Sequence, residues 1–471
     1  MEKLKAGLVL LSAKWFLDVG IQDSDSGRNA GLSEMIGKDV ESIIAAAGKH
    51  FEIIFPGVIH SSGSAEKAAD KFRIENADVV IIVHMMWCED APLISILKNL
   101  DLPVILWGYN PYTLLPGRMK PFEMLRASGS VGILQGSGPM KKMGVKFSYV
   151  FGTPGDTVLD RQLGDLADVY KAWAGIKMLR IGQIGPRCEP MTGNYLDEFR
   201  LMTKLGPVIV PVSAYRLYEI SMQISDREVN ELAGTLKSTY KVNQVSDLSL
   251  FYAAKATLAV EKVIEEENLG AVAIEDLNID LHKLFKTRPC LWTDSLSRKK
   301  VVVGMEADVM NTMGMWINRQ LGGSAPMFTE IYTFDQQMNS ILMGHPGMHD
   351  PSLAGDNPVT IVPDYEYESS DEVEGAWMHF AAKPGPVTVS SMFADEQNYR
   401  MFVFNGEVLP VKDKLEGYLS AFVKIGTPLR DFYEKAIHTG MTQHFAISYD
   451  DIGTKLKKFC EISGIEFVSL P

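Results

Sequence analysis

An α/β fold with a mostly antiparallel β C-terminal region is predicted for this 471-residue chain, and three observations predict it. Through the first third, short apolar runs without polar alternation trade places with segments of helical period, the pattern of a parallel sheet covered by helices on both faces. The pattern breaks at Thr153-Pro154-Gly155 and then starts again, which makes a second α/β cycle. Beyond Gly322-Gly323 the apolar runs are short, close together and separated by turn residues, the texture of an antiparallel sheet or barrel.

In chain order, the first cycle has strand candidates at Gly7–Leu11, Glu52–Phe55, Val79–Val83, Val104–Leu106 and Val131–Leu134. Helical stretches lie between them at Ser33–Ala47 and Ala65–Phe72. Gly136-Ser137-Gly138, followed by Pro139, reads as a turn after the last of these strands. Asp156–Trp173 is a long helix that could join two domains. The second cycle runs through a strand at Leu179–Ile184, a helix at Tyr195–Lys204, a strand at Val208–Val212, a long helix at Leu248–Glu267 and a strand at Ala271–Ile274. It ends with the strand Val301–Gly304, which leads directly into a helix at Met305–Asn318. The C-terminal strands are expected at Met327–Phe334, Ser340–Gly344, Val359–Val362, Trp377–Ala381, Val387–Met392, Tyr399–Phe404 and Gln443–Ile447. A helix near Pro428–Ile437 and a helix–strand ending at Asp450–Val468 accompany them. The acidic run Asp364–Glu374 reads as a solvated loop. Three domains follow: 1–175, 176–322 and 323–471.

Composition narrows the function. Hydrophobic residues are 46% and charged residues 22% of the chain, with a mean hydropathy of +0.01, so there is apolar material for more than one core and no case for disorder or a fibre. A net charge of −13 has the wrong sign for a surface that tracks phosphates, which excludes nucleic acid and anionic membrane as expected partners. No run approaches the ~18 apolar residues of a membrane span. The apolar run Ala6–Leu11 after two lysines is too short for a signal peptide and reads as a first buried strand. Cys88, Cys188, Cys290 and Cys460 fit neither a zinc ribbon nor a redox pair, and as reduced thiols they point to a cytoplasmic protein. A GxGxxG after the first strand and a Walker loop are both missing, so nucleotide binding has little support.

The chemistry gathers between Gly304 and His345. Glu306 follows the buried strand Val301–Gly304, where open α/β sheets place their ligands, and shares a helical stripe with Met310, Met313 and Ile317. Alone, such a glutamate is equally an ordinary first-turn acid favouring a helix dipole. Alternation puts Glu330 on one face with Phe328, Tyr332 and Phe334, and a carboxylate on an aromatic face needs a partner, for which a metal ion would serve. His345 shares a face with Ile341 and Met343 and becomes a third ligand candidate. Among the other histidines, His84 ends a first-domain strand, and His444 alternates away from Phe445 and Ile447; both could face a site. Two glutamates with one or two histidines suit Mn²⁺, Co²⁺ or Fe²⁺ better than a structural Zn²⁺.

These residues, in this order, resemble the L-arabinose isomerase family, within the wider group that includes L-fucose isomerase. The resemblance rests on Gly304-Met305-Glu306, Glu330-Ile331-Tyr332, Leu342-Met343-Gly344-His345 and Gly440 to His444. Gly385-Pro386-Val387 and Tyr399-Arg400 between them, and Gly182-Gln183-Ile184-Gly185-Pro186-Arg187 earlier, are also similar. The resemblance implies four metal ligands, Glu306, Glu330, His345 and His444, a divalent metal, Mn²⁺ first and Co²⁺ or another as alternatives, and a monosaccharide substrate. It also implies two Rossmann-like (flavodoxin-like) α/β domains before a β-barrel, and a homo-oligomer, a hexamer by the family's habit. The chain departs from the family at Lys14, Trp15 and Phe16, at His84 to Trp87 and at Gln443, positions that surround sugar hydroxyls, so substrate binding is assigned to Lys14, Trp15, Phe16, His84 and Trp87.

Aldose–ketose isomerisation moves a proton between C1 and C2 through an enediolate, and the difficulty is negative charge on adjacent oxygens. A divalent metal stabilises that charge and a carboxylate shuttles the proton, so Glu306 and Glu330 are expected as the acid/base pair as well as ligands. Epimerisation or aldol cleavage would use the same enediolate. A non-catalytic sugar-binding or regulatory protein would require the four ligands to be coincidental.

Overall fold

The computed structural model describes residues 3–21, 31–366, 375–411 and 414–470. They divide into two compact units, 1–171 and 172–471, the division falling within the helix Thr157–Ile176.

The first unit is built on a parallel sheet. Strands β1 (Lys5–Leu11), β2 (Glu52–Ile54), β3 (Val58–Ile59), β4 (Val79–His84), β5 (Val104–Tyr109) and β6 (Phe147–Gly152) lie in the order β2-β1-β4-β5-β6, with β3 also against β1. Every pairing is parallel. β1 and β4 are adjacent while the chain winds outward from them in both directions, so their carboxyl ends form the sheet's switch point. β4 is buried at all six positions, as its unbroken apolar run predicts.

Val131–Leu134 is not a strand. It lies in the helix Gly129–Lys142, as does Gly136-Ser137-Gly138. The helix turns Gly132 and Gly136 inward, where a Cβ would come within 3 Å of the His84 ring, while Val131 and Leu134 stand in solvent. Glycine inside and aliphatic residues outside reverse the usual helical pattern, and the apolar stretch therefore imitates a strand. β6, whose burial is partial, was not signalled, because an edge strand with a solvated face lacks the unbroken apolar run.

The second unit begins with another all-parallel sheet: β7 (Arg180–Ile184), β8 (Val208–Val212), β10 (Ala271–Ile274) and β11 (Val302–Met305) in the order β11-β10-β7-β8. β9 (Lys241–Val242) instead pairs with β14 (Thr360–Val362), which pairs with β15 (Trp377–His379). The remaining strands are β12 (Met327–Asp335), β13 (Ser340–Gly344), β16 (Gly385–Ala394), β17 (Tyr399–Val408), β18 (Ser420–Ile425), β19 (His444–Ser448) and β20 (Glu466–Ser469). Their order is β16-β19-β12-β13-β18-β17-β20, and β16 also pairs with β17, so the ladder returns on itself. All these contacts are antiparallel except β17 with β20. Met327, Ile341, Met343, Val389, Phe402, Phe404, Phe445 and Ile447 belong to its core. The C-terminal region is thus a mixed sheet joined to the α/β part of its unit.

The helix after β11 starts at Val309 and runs to Gly322, four residues later than the apolar pattern implied. It is buried almost throughout, and Asn318 on it donates to the hydroxyls of Ser390 and Ser448 at 2.9 and 3.1 Å. The acidic run is not simply a solvated loop: Asp364 is buried and paired with Arg288, while 367–374 lie outside the described residues. Among the described residues no helix is long and apolar enough to cross a membrane.

Candidate active site

Glu306 sits at the carboxyl end of β11, on a turn and not on a helix. It and Ala307 both have left-handed backbones, φ 55° and 49°, each a conformation that costs a non-glycine residue of order 1–3 kcal/mol and persists only where the surroundings over-determine it. They do so here. The Glu306 amide donates to Asp276 Oδ1 at 2.9 Å, the Ala307 amide to the Ile274 carbonyl at 3.0 Å and the Asp308 amide to the Met305 carbonyl at 3.1 Å. Asp308 then caps the helix by accepting from the Asn311 amide at 2.9 Å. Gly304 is required beside the turn, since a Cβ would overlap Thr312 Oγ1.

Asp276 is itself fixed by Arg288, whose guanidinium is wholly buried. Nη1 reaches Asp276 Oδ2 at 2.8 Å, the Nε and Nη2 fork holds Asp364 at 2.8 and 3.1 Å, and Nη2 meets Glu366 at 2.7 Å. Trp377 covers this group at 5.1 Å. Two elements distant in sequence are thereby locked to the Glu306 turn.

The carboxylate of Glu306 faces two imidazoles. Its Oε2 lies 2.9 Å from His444 Nε2 and its Oε1 3.6 Å from His345 Nε2. His444 comes from the first position of β19, and His345 follows β13. The three ligand atoms lie within 4.8 Å of one another, in the described residues' one group of this kind. Phe328 on β12 packs against both rings, at centroid distances of 4.9 and 4.6 Å.

Each imidazole has its outer nitrogen occupied. His345 Nδ1 lies 2.7 Å from the Pro346 carbonyl, which only accepts, so Nδ1 carries hydrogen and Nε2 is the nitrogen that faces Glu306. That Nε2 is buried and has no hydrogen-bond partner. His444 Nδ1 donates to Asp308 Oδ2 at 2.8 Å. Metal-ligating histidines are oriented in this way by a carbonyl or carboxylate on the far nitrogen, and an orphaned inward-facing nitrogen beside a carboxylate fits a divalent cation. Burial alone would raise the Glu306 pKa, but the imidazoles of His345 and His444 beside it overcome it and hold the carboxyl down to about 2. Burial pushes the His444 imidazole down, whereas Asp308 and Glu306 push it up more strongly, to about 9.

Glu330 stands opposite Gly344 on one side and His444 on the other in the sheet register. It is half-buried, and burial raises its pKa, with the charges of His345, Glu306 and His444 all reaching it. It is not one of the three residues whose ligand atoms cluster. The alternation expected through Phe334 fails after it, because a bulge between Ile331 and Thr333 shifts the register, and Tyr332 and Phe334 are exposed.

In the first unit, Lys14, Trp15 and Phe16 follow β1, His84 ends β4 and Met85 to Trp87 follow it, β1 and β4 being the two strands of the switch point. The Lys14 and Trp15 amides donate to Glu89, Phe16 lies 6.1 Å from the Trp87 ring, and Trp87 Nε1 donates to Gln135 at 2.9 Å. Trp15 is exposed and Phe16 buried. The imidazole of His84 is also buried, under the glycine face of the helix Gly129–Lys142, and burial lowers its pKa to about 4. All four cysteines are free and buried.

Sequence reasoning missed Asp308, Asp276 and Arg288. Asp308 was legible as a helix cap two residues beyond Glu306, had the helix been started at Val309; the other two carry no local signal. Replacing Asp308 by Asn leaves the cap acceptor but weakens the pull on His444 Nδ1, and metal affinity is expected to fall 10–100-fold. Calorimetric titration of the variant with Mn²⁺ measures this; unchanged affinity would remove Asp308 from the site.

The L-arabinose isomerase C-terminal domain family matches residues 325–466. Two proteins named sulfoquinovose isomerase, from Priestia aryabhattai and Priestia megaterium (strain ATCC 12872 / QMB1551), are each 24% identical over 399 residues, covering 84% of this chain and 86% of the relative. A third, from Alkalicoccus urumqiensis, is 22% identical over 401 residues, 83% of this chain and 86% of its own. His345 and His444 lie within the matched domain and Glu306 just before it, and with relatives aligned along most of its length the chain resembles the arabinose isomerase family of sugar isomerases.

Proposed function

We propose that this protein is a metal-dependent aldose–ketose isomerase working through an enediolate, with Glu306, Glu330, His345 and His444 holding the metal. The observation that carries the reading is the Glu306–His345–His444 cluster, whose outer nitrogens are both spoken for and whose inner His345 nitrogen is not. A divalent cation there, Mn²⁺ or Co²⁺ in preference to the oxygen-loving Mg²⁺, supplies Lewis-acid stabilisation of charge on neighbouring sugar oxygens. Glu306 and Glu330 handle the proton that leaves one carbon and returns to the next. Two carboxylates sharing one cation would titrate as a coupled pair, and the acid and base roles belong to the pair. Phe328 walls off one side from water, and the Asp276–Arg288 support keeps the Glu306 carboxylate in place.

Substrate selectivity is assigned to the first-unit cluster of Lys14, Trp15, Phe16, His84 and Trp87, where the family motif is absent. The relatives' names make a sulfonated hexose a member of the panel to be tested beside unmodified pentoses, hexoses and deoxysugars. The closed strand ladder supports a β-barrel for the C-terminal region, and the two all-parallel sheets support Rossmann-like units before it. The free buried thiols accord with a cytoplasmic setting, and the family resemblance with a homo-oligomer, a hexamer. The test is conversion of the panel by chelator-treated protein with and without Mn²⁺: metal-restored conversion is expected, and full turnover of metal-free protein would refute the reading.

Metal binding is also expected to depend on pH. A metal ligand must be deprotonated, and in the metal-free protein His444 keeps its proton up to about pH 9. Below that value a proton competes for Nε2, so Mn²⁺ affinity should rise about tenfold per pH unit from 6 to 8 and level off near 9. Titrations in buffers of different ionisation enthalpy should detect about one proton released per metal at pH 7. Affinity independent of pH over this range would contradict the ligand assignment.

A further inference from the structure

Three buried polar atoms without partners lie on one loop and on two segments in contact with it, close in sequence to the proposed metal ligands. The loop, 185–195, leaves β7 at the carboxyl edge of the sheet. Near its start the Cys188 thiol bonds the side chain of Glu275, which follows β10 and is 3% exposed; the Glu275 Oε2 oxygen is buried and has no partner. Farther along, Met191 Sδ takes a hydrogen bond from Gln443 Nε2 at 2.9 Å, and Gly193 adjoins the Thr442 methyl. Asn194 is 6% exposed. Its Nδ2 reaches only Met191 Sδ, at 3.8 Å, and its Oδ1 has no partner. Thr442 Oγ1 is likewise buried and unpartnered. Thr442 and Gln443 directly precede His444, and the charge of Glu306 reaches Cys188.

We propose that Asn194, Thr442 and Glu275 form a hydroxyl-reading subsite that selects among sugar epimers beside the metal centre. A buried polar atom left without a partner is destabilising, so three such atoms around one loop are poor structural choices and good ligand contacts. Asn194 Oδ1 and Glu275 Oε2 accept, the Thr442 hydroxyl donates and accepts, and the Met191 thioether offers apolar surface to the C–H side of a sugar. Epimers differ only in where a hydroxyl points, and a site of fixed polar atoms rejects the analogue that leaves one of them unmatched. The inference rests on the isomerase reading and adds to it residues that act on substrate and not on metal.

The test uses manganese-loaded protein and alditols, which lack the carbonyl and cannot isomerise: arabinitol, ribitol, xylitol and glucitol, with the corresponding aldoses assayed for turnover. Asn194→Leu and Thr442→Val should each weaken the tightest alditol by about fivefold or more and change the ranking of the panel. Mn²⁺ affinity should stay within about twofold, since neither residue is a ligand, and Thr442→Ser should restore binding. Should Thr442→Val not fold, Asn194→Ala reads the same loss. Variants that bind every alditol as the parent does, merely with raised thermal stability from the removed polar atoms, would overturn the subsite and leave the isomerase reading standing. Parent protein that binds no alditol and converts no aldose would overturn both.

Discussion

Glu306→Gln is expected to lower turnover at saturating Mn²⁺ by ~10²-fold or more, the scale of general acid/base catalysis, and to weaken the metal as well. The amide keeps the shape and one carbonyl oxygen but loses the charge that faces His345 and His444 at 3.6 and 2.9 Å. The backbone support from Asp276 is unaffected, because it acts on the main-chain amide. His444→Asn is the comparison: a residue that only ligates should be partly rescued by excess metal, whereas a lost proton shuttle should not. Steady-state kinetics across a Mn²⁺ series separates the two, and near-normal turnover of Glu306→Gln would remove it from the mechanism.

Arg288→Met should give the largest loss of stability. The side chain is wholly buried against Asp276, Asp364 and Glu366, and removing the cation leaves two buried carboxylates unpaired, a change that costs about 3–5 kcal/mol. Because Asp276 also holds the Glu306 amide, Mn²⁺ affinity should fall together with the unfolding midpoint. Chemical denaturation of metal-free protein measures the first effect and metal titration the second. A variant as stable as the parent would show that the network's charges are compensated elsewhere.

Strands buried on both faces were legible because their residues have one role. Val79–Val83 and Ala271–Ile274 carry unbroken apolar runs and were placed to within a residue. The helix Gly129–Lys142 was not, since its inward face is glycine closing on His84 and its aliphatic residues point outward. Glu306 was found for its position after a buried strand, yet its surroundings were misread: apolar Met310, Met313 and Ile317 suggested an uninterrupted helix, whereas the left-handed turn at Glu306 and Ala307 breaks it. Nothing local in the sequence announces that turn, because its cause is the distant Asp276 and, behind it, Arg288. His345 and His444 were identified by motif and by alternation, while Asp308, which orients His444, was hidden by starting the helix four residues early.

A site that moves a proton within a sugar with the help of a divalent metal leaves a trace that proton NMR in deuterium oxide reads. Chelator-treated protein is given each aldose of the panel with and without Mn²⁺. Ketose is expected only with metal, carrying solvent deuterium at C1, because the carboxylate pair exchanges its proton with water between abstraction and return. Ketose formed without metal, no interconversion of any sugar, or a product that retains all its original hydrogen at C1 would contradict it.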